Sequence, residues 1–159
     1  MFPAGEFPPP RDFQITAHMA IQQAAREGHR RIMVMAPTGA GKTYLGLRII
    51  SETLKRGKKA LFICDRKTLI AQTSQAADRY GLGDHGIIQA QNPRLDLSKR
   101  FQIASVQTLM SRGFPEKYPD VIVIDEAHTM SRKLKEWVTS PACTSFVIGL
   151  SATPFTGGL

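Results

Sequence analysis

The stretch Ala36-Pro37-Thr38-Gly39-Ala40-Gly41-Lys42-Thr43 constrains this chain more than any other. It follows the apolar run Arg31-Ile32-Met33-Val34-Met35 and leads into a helical pattern from Tyr44 onward. A strand, a glycine-rich turn and a helix in that order place backbone N–H groups at a helix N-terminus, where unpaired donors and the macrodipole both favour negative charge. Gly39 and Gly41 let the backbone turn those groups onto a polyphosphate, and Lys42 brings a mobile positive charge to its β- and γ-phosphates. Thr43 offers a hydroxyl to Mg²⁺.

The chain must then build a core around that loop. Its 159 residues, 42% hydrophobic and 21% charged, are ordinary for one soluble domain. No window approaches the roughly 20 apolar residues of a membrane helix, and the start Met1-Phe2-Pro3-Ala4-Gly5-Glu6 lacks a basic and apolar leader. A cytoplasmic protein with no membrane partner is expected. Cys64 and Cys143 are too few and too isolated for a disulfide framework or a zinc site, and read as two buried reduced thiols. The net charge of +8 and a pI near 9.9 point to a polyanion such as nucleic acid, or else to lysines that only solvate loops, as Lys58-Lys59 would.

Along the chain, Pro3, Pro8, Pro9 and Pro10 forbid helix, so residues 1–10 are expected to be a flexible or draped lead. A helix follows from Phe13 to Glu27, with Ile15, Met19 and later alanines on one side and Gly28 as its stop. The strand near 31–36 is apolar without alternation, the pattern of a strand buried on both faces. The same grammar repeats: a helix from Lys42 to Arg56 with Leu45, Ile49 and Leu54 inward, a strand at 59–64 and a helix from Lys67 to Tyr80. Strands follow at Gly86–Ala90, Phe101–Val106, Val121–Ile124 and Phe146–Leu150. The alternation indicates a three-layer α/β domain with a mainly parallel central sheet, occupying 11–159 without an internal boundary.

Directly after Val121–Ile124 comes Asp125-Glu126-Ala127-His128. Acidic residues at the exit of a buried strand are costly unless they meet a cation, and the Mg²⁺ implied by Thr43 is one. Successive side chains on a strand point opposite ways, so the two carboxylates are expected to take different tasks. Asp125 would hold the metal, while Glu126 would orient or deprotonate a water attacking the γ-phosphate.

With both sites placed, the chain resembles the first RecA-like domain of a superfamily 2 helicase of the DEAD/DEAH-box type, from about Arg11 to Thr153. Ala36–Thr43 matches motif I, Asp125–His128 motif II and Ser151-Ala152-Thr153 motif III. The resemblance implies an ATP hydrolase that uses Mg²⁺, with Lys42, Asp125 and Glu126 catalytic and Thr43 and Asp125 holding the metal. Pro37, Thr38, Gly39, Ala40, Gly41, Lys42 and Thr43 would cradle the phosphates. Arg11-Asp12-Phe13-Gln14 resembles the adenine-recognition element, with Gln14 on the adenine edge and Arg11 packed nearby. Cys64–Leu69 resembles motif Ia and Ile103–Leu109 motif Ib, which line the family's nucleic-acid path. They would place Arg66, Lys67, Ser105, Gln107 and Thr108 on phosphates; ordinary helix capping by Thr68 or Ser105 is the alternative. Asp65 stands where the family usually has Pro. His128, Ser151 and Thr153 resemble residues that couple the nucleotide site to the neighbouring domain. His18, His29 and His85 show no partner in the sequence, and Trp137 reads as packing on an amphipathic helix.

Arg-x-x-Gln ahead of motif I, Val106-Gln107-Thr108-Leu109 and Ala152-Thr153-Pro154-Phe155 are closest to the branch of type III restriction-enzyme motors and XPB-like helicases, which favours DNA over RNA. In that family ATP is sandwiched between two RecA-like domains, and this chain carries only the first. The expectation is a domain of a longer helicase, weakly active alone. A translocase on duplex DNA and an ATP-gated binding module are the rival activities.

Overall fold

Continuous apolar runs become the buried centre of a sheet. The computed structural model describes residues 6–35, 40–127 and 130–152, and strands and helices alternate through them. Helix α1 (Asp12–Arg26) precedes β1 (Arg31–Met35), and α2 (Ala40–Lys55) precedes β2 (Ala60–Cys64). Helix α3 (Thr68–Arg79) leads to β3 (His85–Ile88), and β4 (Phe101–Ser105) runs directly into α4 (Val106–Arg112). Then come β5 (Val121–Ile124), α5 (Arg132–Thr139) and β6 (Phe146–Ser151).

The six strands pair in the order β1-β6-β5-β2-β4-β3, every pair parallel. Alternate residues of the central strands feed two separate cores. Phe62, Cys64, Val123 and Ile148 pack with Leu45, Ile50, Ile70 and Ala77 from α2 and α3. Leu61, Ile63, Ile122 and Ile124 pack with Leu109, Leu134 and Val138 from α4 and α5. These are the three expected layers. Helix α2 sits especially close to the sheet, because a Cβ on Gly46 would come within 2.9 Å of Phe62 and 3.0 Å of Val123.

One expectation needs correction. The run 31–35 is only half-buried, with Arg31 and Met35 exposed, because β1 has β6 on one side and is an edge of the sheet among the described residues. On α1 the apolar Ile15 and Met19 face solvent, whereas Gln14 and Ile21 are buried. The face that meets the domain runs through positions 14, 17, 18 and 21, so a glutamine and a histidine stand where hydrophobicity alone would seek apolar residues.

Residues 6–10 lie against the domain. Phe7 stacks on Tyr80 and meets Tyr44 edge-on, and the Tyr44 hydroxyl donates to the Pro8 carbonyl at 2.5 Å. Because all strands are parallel, their carboxyl ends share one edge, which in open α/β sheets is where ligands bind. The segments following β2, β4 and β5 emerge there.

Candidate functional site

At that edge, Lys42 in the first turn of α2 is buried, 6% exposed, and its Nζ donates to Glu126 Oε1 and lies 3.4 Å from Asp125 Oδ1. A buried ammonium is tolerable only when paired, and here both carboxylates pair with it. Strand β5 ends at Ile124, and Asp125 and Glu126 form a turn. Glu126 adopts the left-handed conformation, φ 52°, and its N–H donates to Asp125 Oδ1 at 3.0 Å. The Asp125 N–H donates to the Ile63 carbonyl at 3.0 Å, which continues the β2–β5 ladder one step past the strand. The strand alternation expected to separate the two carboxylates therefore does not operate. The turn brings them to one cation.

A triphosphate and a divalent metal fit this donor set. The first turn of α2 contains no acidic residue to compensate its N-terminal N–H groups, and Lys42 adds a positive charge there. Thr43 is half-buried at the same turn, and Lys42, Thr43, Asp125 and Glu126 share one cleft with the α3 residues Gln72 and Thr73. Among the described residues no cluster of three or more His, Cys, Asp or Glu could cage a metal. Mg²⁺, which prefers one or two carboxylates plus phosphate oxygens and water, is compatible with so few protein ligands.

Helix α1 is tied to the loop's end. The Gln14 side chain donates to the Gly41 carbonyl at 3.4 Å and accepts from the Arg11 N–H at 2.7 Å. The ring of Phe13 lies over Gly41 so closely that a Cβ there would sit 2.5 Å from Phe13 Cζ. Gly41 thus leaves the room in which α1 is seated. Arg11 is exposed.

The other expected residues divide. Arg66, Lys67 and Gln107 are exposed beyond the ends of β2 and β4. Ser105 and Thr108 are buried, and the Ser105 hydroxyl donates to Thr108 Oγ1 at 3.0 Å and accepts from the Thr108 N–H at 3.1 Å. For Ser105 the capping alternative is the one realised, since its hydroxyl starts α4 and does not face solvent, whereas α3 begins without a side-chain cap. Ser151 is fully buried at the end of β6, in register with Met35 at the end of β1. Pro37, Thr38, Gly39, His128 and Thr153 lie outside the described residues, as does the side chain of Ala40.

One neighbour escaped the sequence reading. Gly149 lets the turn after β5 close down, since a Cβ there would meet Met33 Sδ at 2.5 Å and Ala127 Cβ at 2.8 Å. Cys64, at the end of β2, is pushed up to about 12 by burial, so its thiol stays protonated; Cys143 is only half-buried. His18 pairs with Glu52 at 3.0 Å and His29 with Glu27 at 3.7 Å. Trp137 stacks on Tyr118 and Phe114, as packing.

A parallel sheet of this order, with a lysine and two carboxylates meeting at its carboxyl edge, defines a RecA-like nucleotide-binding domain. More particularly, the chain belongs to the type III restriction enzyme res-subunit family, whose sequence pattern matches residues 7–156. It is 29% identical over 162 aligned residues to the type I restriction enzyme EcoAI endonuclease subunit of Escherichia coli, covering 91% of this chain and 19% of that protein. To replication restart protein PriA of Chlamydia pneumoniae it is 31% identical over 151 residues, covering 86% of this chain and 20% of that protein. The chain thus spans about a fifth of the length of these relatives. Its fold matches the SWI2/SNF2 ATPase core of Sulfolobus solfataricus, a structure in complex with double-stranded DNA, with a TM-score of 0.75 at 18% identity over 97% of this chain and 34% of that one. Among the described residues no helix is long and apolar enough to cross a membrane.

Proposed function

We propose that this chain is the ATP-binding domain of a cytoplasmic motor that couples ATP hydrolysis to unwinding of, or movement along, DNA. The observation that carries the reading is the meeting of Lys42, Asp125 and Glu126 at the mouth of a parallel sheet. In this reading the 36–43 loop and Lys42 hold the phosphates, and Thr43 and Asp125 hold Mg²⁺, which supplies charge neutralisation when bound. The lysine that now bridges both carboxylates turns to the phosphates, leaving Glu126 to orient the attacking water and take its proton. Gln14, fixed between Arg11 and Gly41, offers its amide to the adenine edge. Arg66, Lys67 and Gln107, all exposed, would meet nucleic-acid phosphates without reading bases. His128, Ser151 and Thr153 pass the state of the nucleotide to a second RecA-like domain, whose arginine finger completes the site. Such a finger is worth about 10³–10⁵ in rate, so the domain alone turns over slowly.

Support for DNA comes from the family and from relatives named as restriction and replication-restart proteins. The test is ATP hydrolysis by the longer protein containing this chain, with DNA and RNA duplexes as effectors. DNA-stimulated turnover abolished by Lys42→Ala and Glu126→Gln is expected; stimulation by RNA alone would reject the DNA assignment. Brisk stimulated turnover by the isolated domain would reject the need for a second one.

A further inference from the structure

The two faces of the sheet are not covered equally. Helices α1, α2 and α3 pack on one face, but α4 and α5 cover only part of the other, over β2, β5, β6 and Ala104 of β4. Over Gly86 of β3 and Gln102 of β4 that second face is overlaid by irregular chain. Asp96 and Lys99 accept from the Gln102 amide with their carbonyls at 2.8 and 2.9 Å, and Asp96 lies against Gly86 so closely that a Cβ there would be 2.4 Å from its carbonyl oxygen. Between this segment and the 113–119 loop a cleft of about 480 Å³ stays open.

Its floor and walls are apolar, from Leu61 and Ile88 on the sheet, Leu109 on α4, and Leu97, Pro115 and Tyr118 from the loops. Leu97 is 69% exposed and Leu95 39%. An apolar cleft left open beneath a polar rim marks an interaction site more often than chance. The rim has one sign of charge. Lys59, Lys99, Arg100, Arg112 and Lys117 line the cleft, and no Asp or Glu does. Lys99 is paired with Asp84 and Arg100 Nη1 donates to the Leu54 carbonyl at 3.0 Å, whereas Lys59, Arg112 and Lys117 have no ion pair among the described residues.

We infer that this cleft docks a partner protein through an acidic peptide segment carrying one or two bulky apolar side chains. The volume suits such anchors, being within the roughly 300–1,000 Å³ of enclosed binding sites. The surrounding cations complement carboxylates flanking the anchor and hold its register. Nucleic acid is the disfavoured occupant, because a phosphate backbone satisfies the rim and leaves the exposed Leu97 and the half-buried Ile88 wet. The cleft opens beside Lys59 and Pro119, which precede β2 and β5, whereas the exposed Arg66 and Lys67 follow the opposite end of β2.

Fluorescence anisotropy on this chain tests the assignment with three labelled probes: a short Asp/Glu peptide with a central Leu-Phe pair, the same peptide with Ala-Ala there, and an oligothymidylate. The Leu-Phe peptide is expected to bind about ten-fold more tightly than the Ala-Ala peptide. Leu97→Asp and Lys117→Glu, both at exposed positions, should each weaken it by about ten-fold. Methyl resonances of Leu61, Ile88 and Leu109 should shift on titration while those of Leu45 and Ile50 stay. Equal binding of the two peptides, oligothymidylate binding weakened by the same two substitutions, or no binding of the Leu-Phe peptide would each overturn the proposal.

Discussion

Two buried polar clusters in this domain resemble each other in composition and differ in how their groups are used. At the carboxyl edge, Lys42, Asp125 and Glu126 gather on a turn whose last carboxylate has left-handed backbone. At the far side, where β3 begins, His85 Nδ1–H donates to the Leu82 carbonyl at 2.7 Å, and Nε2 accepts from Ser74 and Arg94, both at 2.8 Å. Arg94 also donates to Ser74 at 2.7 Å and to Asp78 at 2.9 Å. The second cluster ties α3, β3 and the 89–100 segment together with neutral and charge-assisted bonds in ordinary geometry. The first concentrates formal charge on one ammonium in a strained turn. Strain and concentrated charge persist where function keeps them, and satisfied networks persist because they hold the fold. The two clusters should therefore fail in opposite ways.

The largest expected effect is Glu126→Gln, which should lower nucleic-acid-stimulated turnover by about 10²–10⁴ while the thermal midpoint barely moves, since Asp125 still pairs with Lys42. Steady-state hydrolysis alongside calorimetry checks both halves, and unchanged turnover would remove Glu126 from its role. Next is Gly149→Val, which forces branched carbons onto Met33 and Ala127 and should cost about 1–3 kcal/mol while displacing the 125–126 turn. It links the clusters' two failure modes, losing stability and nucleotide affinity together; a variant that loses neither shows that β6 has room there. Arg94→Ala should cost about 1–3 kcal/mol in urea unfolding, because the buried Ser74 and His85 lose a shared hydrogen-bond partner. If it instead abolished turnover at unchanged stability, the comparison would be inverted.

Gly41→Ala should weaken nucleotide binding and destabilise α1 through the contact with Phe13, and Phe13→Ala should recover part of the stability. A double-mutant cycle by thermal denaturation measures that coupling, and strict additivity would show that the contact is not felt. The smallest effect is in pH. Burial, reinforced by the Arg94 charge, holds the His85 imidazole below its usual range, although the Leu82 carbonyl opposes this. The unfolded chain then binds more protons than the folded one as pH falls below about 6.5, so stability declines from there until His85 itself protonates. His85→Gln should flatten the slope of unfolding free energy against pH in that window; an unchanged slope would assign it to other groups.

Much of the fold was legible because its signals are local. Strands such as 60–64 and 121–124 announce themselves as unbroken apolar runs, and helices by their period and their glycine stops. Lys42, Asp125 and Glu126 were found because each follows a strand and a parallel sheet delivers such positions to one edge. What stayed hidden depends on pairs far apart in the chain. The run 31–35 reads as fully buried, and only the pairing order makes it an edge. Gln14 looks like an exposed polar residue until Gly41, 27 positions later, receives its hydrogen bond. The helical period of α1 places Ile15 and Met19 correctly on one side without saying which side meets the domain. Sequence chemistry alone thus determined the class of site, a phosphate loop with two carboxylates, because residue type and spacing carry that chemistry wherever the chain goes. Tertiary structure alone decided that a turn, not strand alternation, aims both carboxylates at Lys42, that the 31–35 strand is an edge, and that part of one sheet face lies open. Those outcomes follow from steric contact and pairing across the fold, which no local pattern encodes.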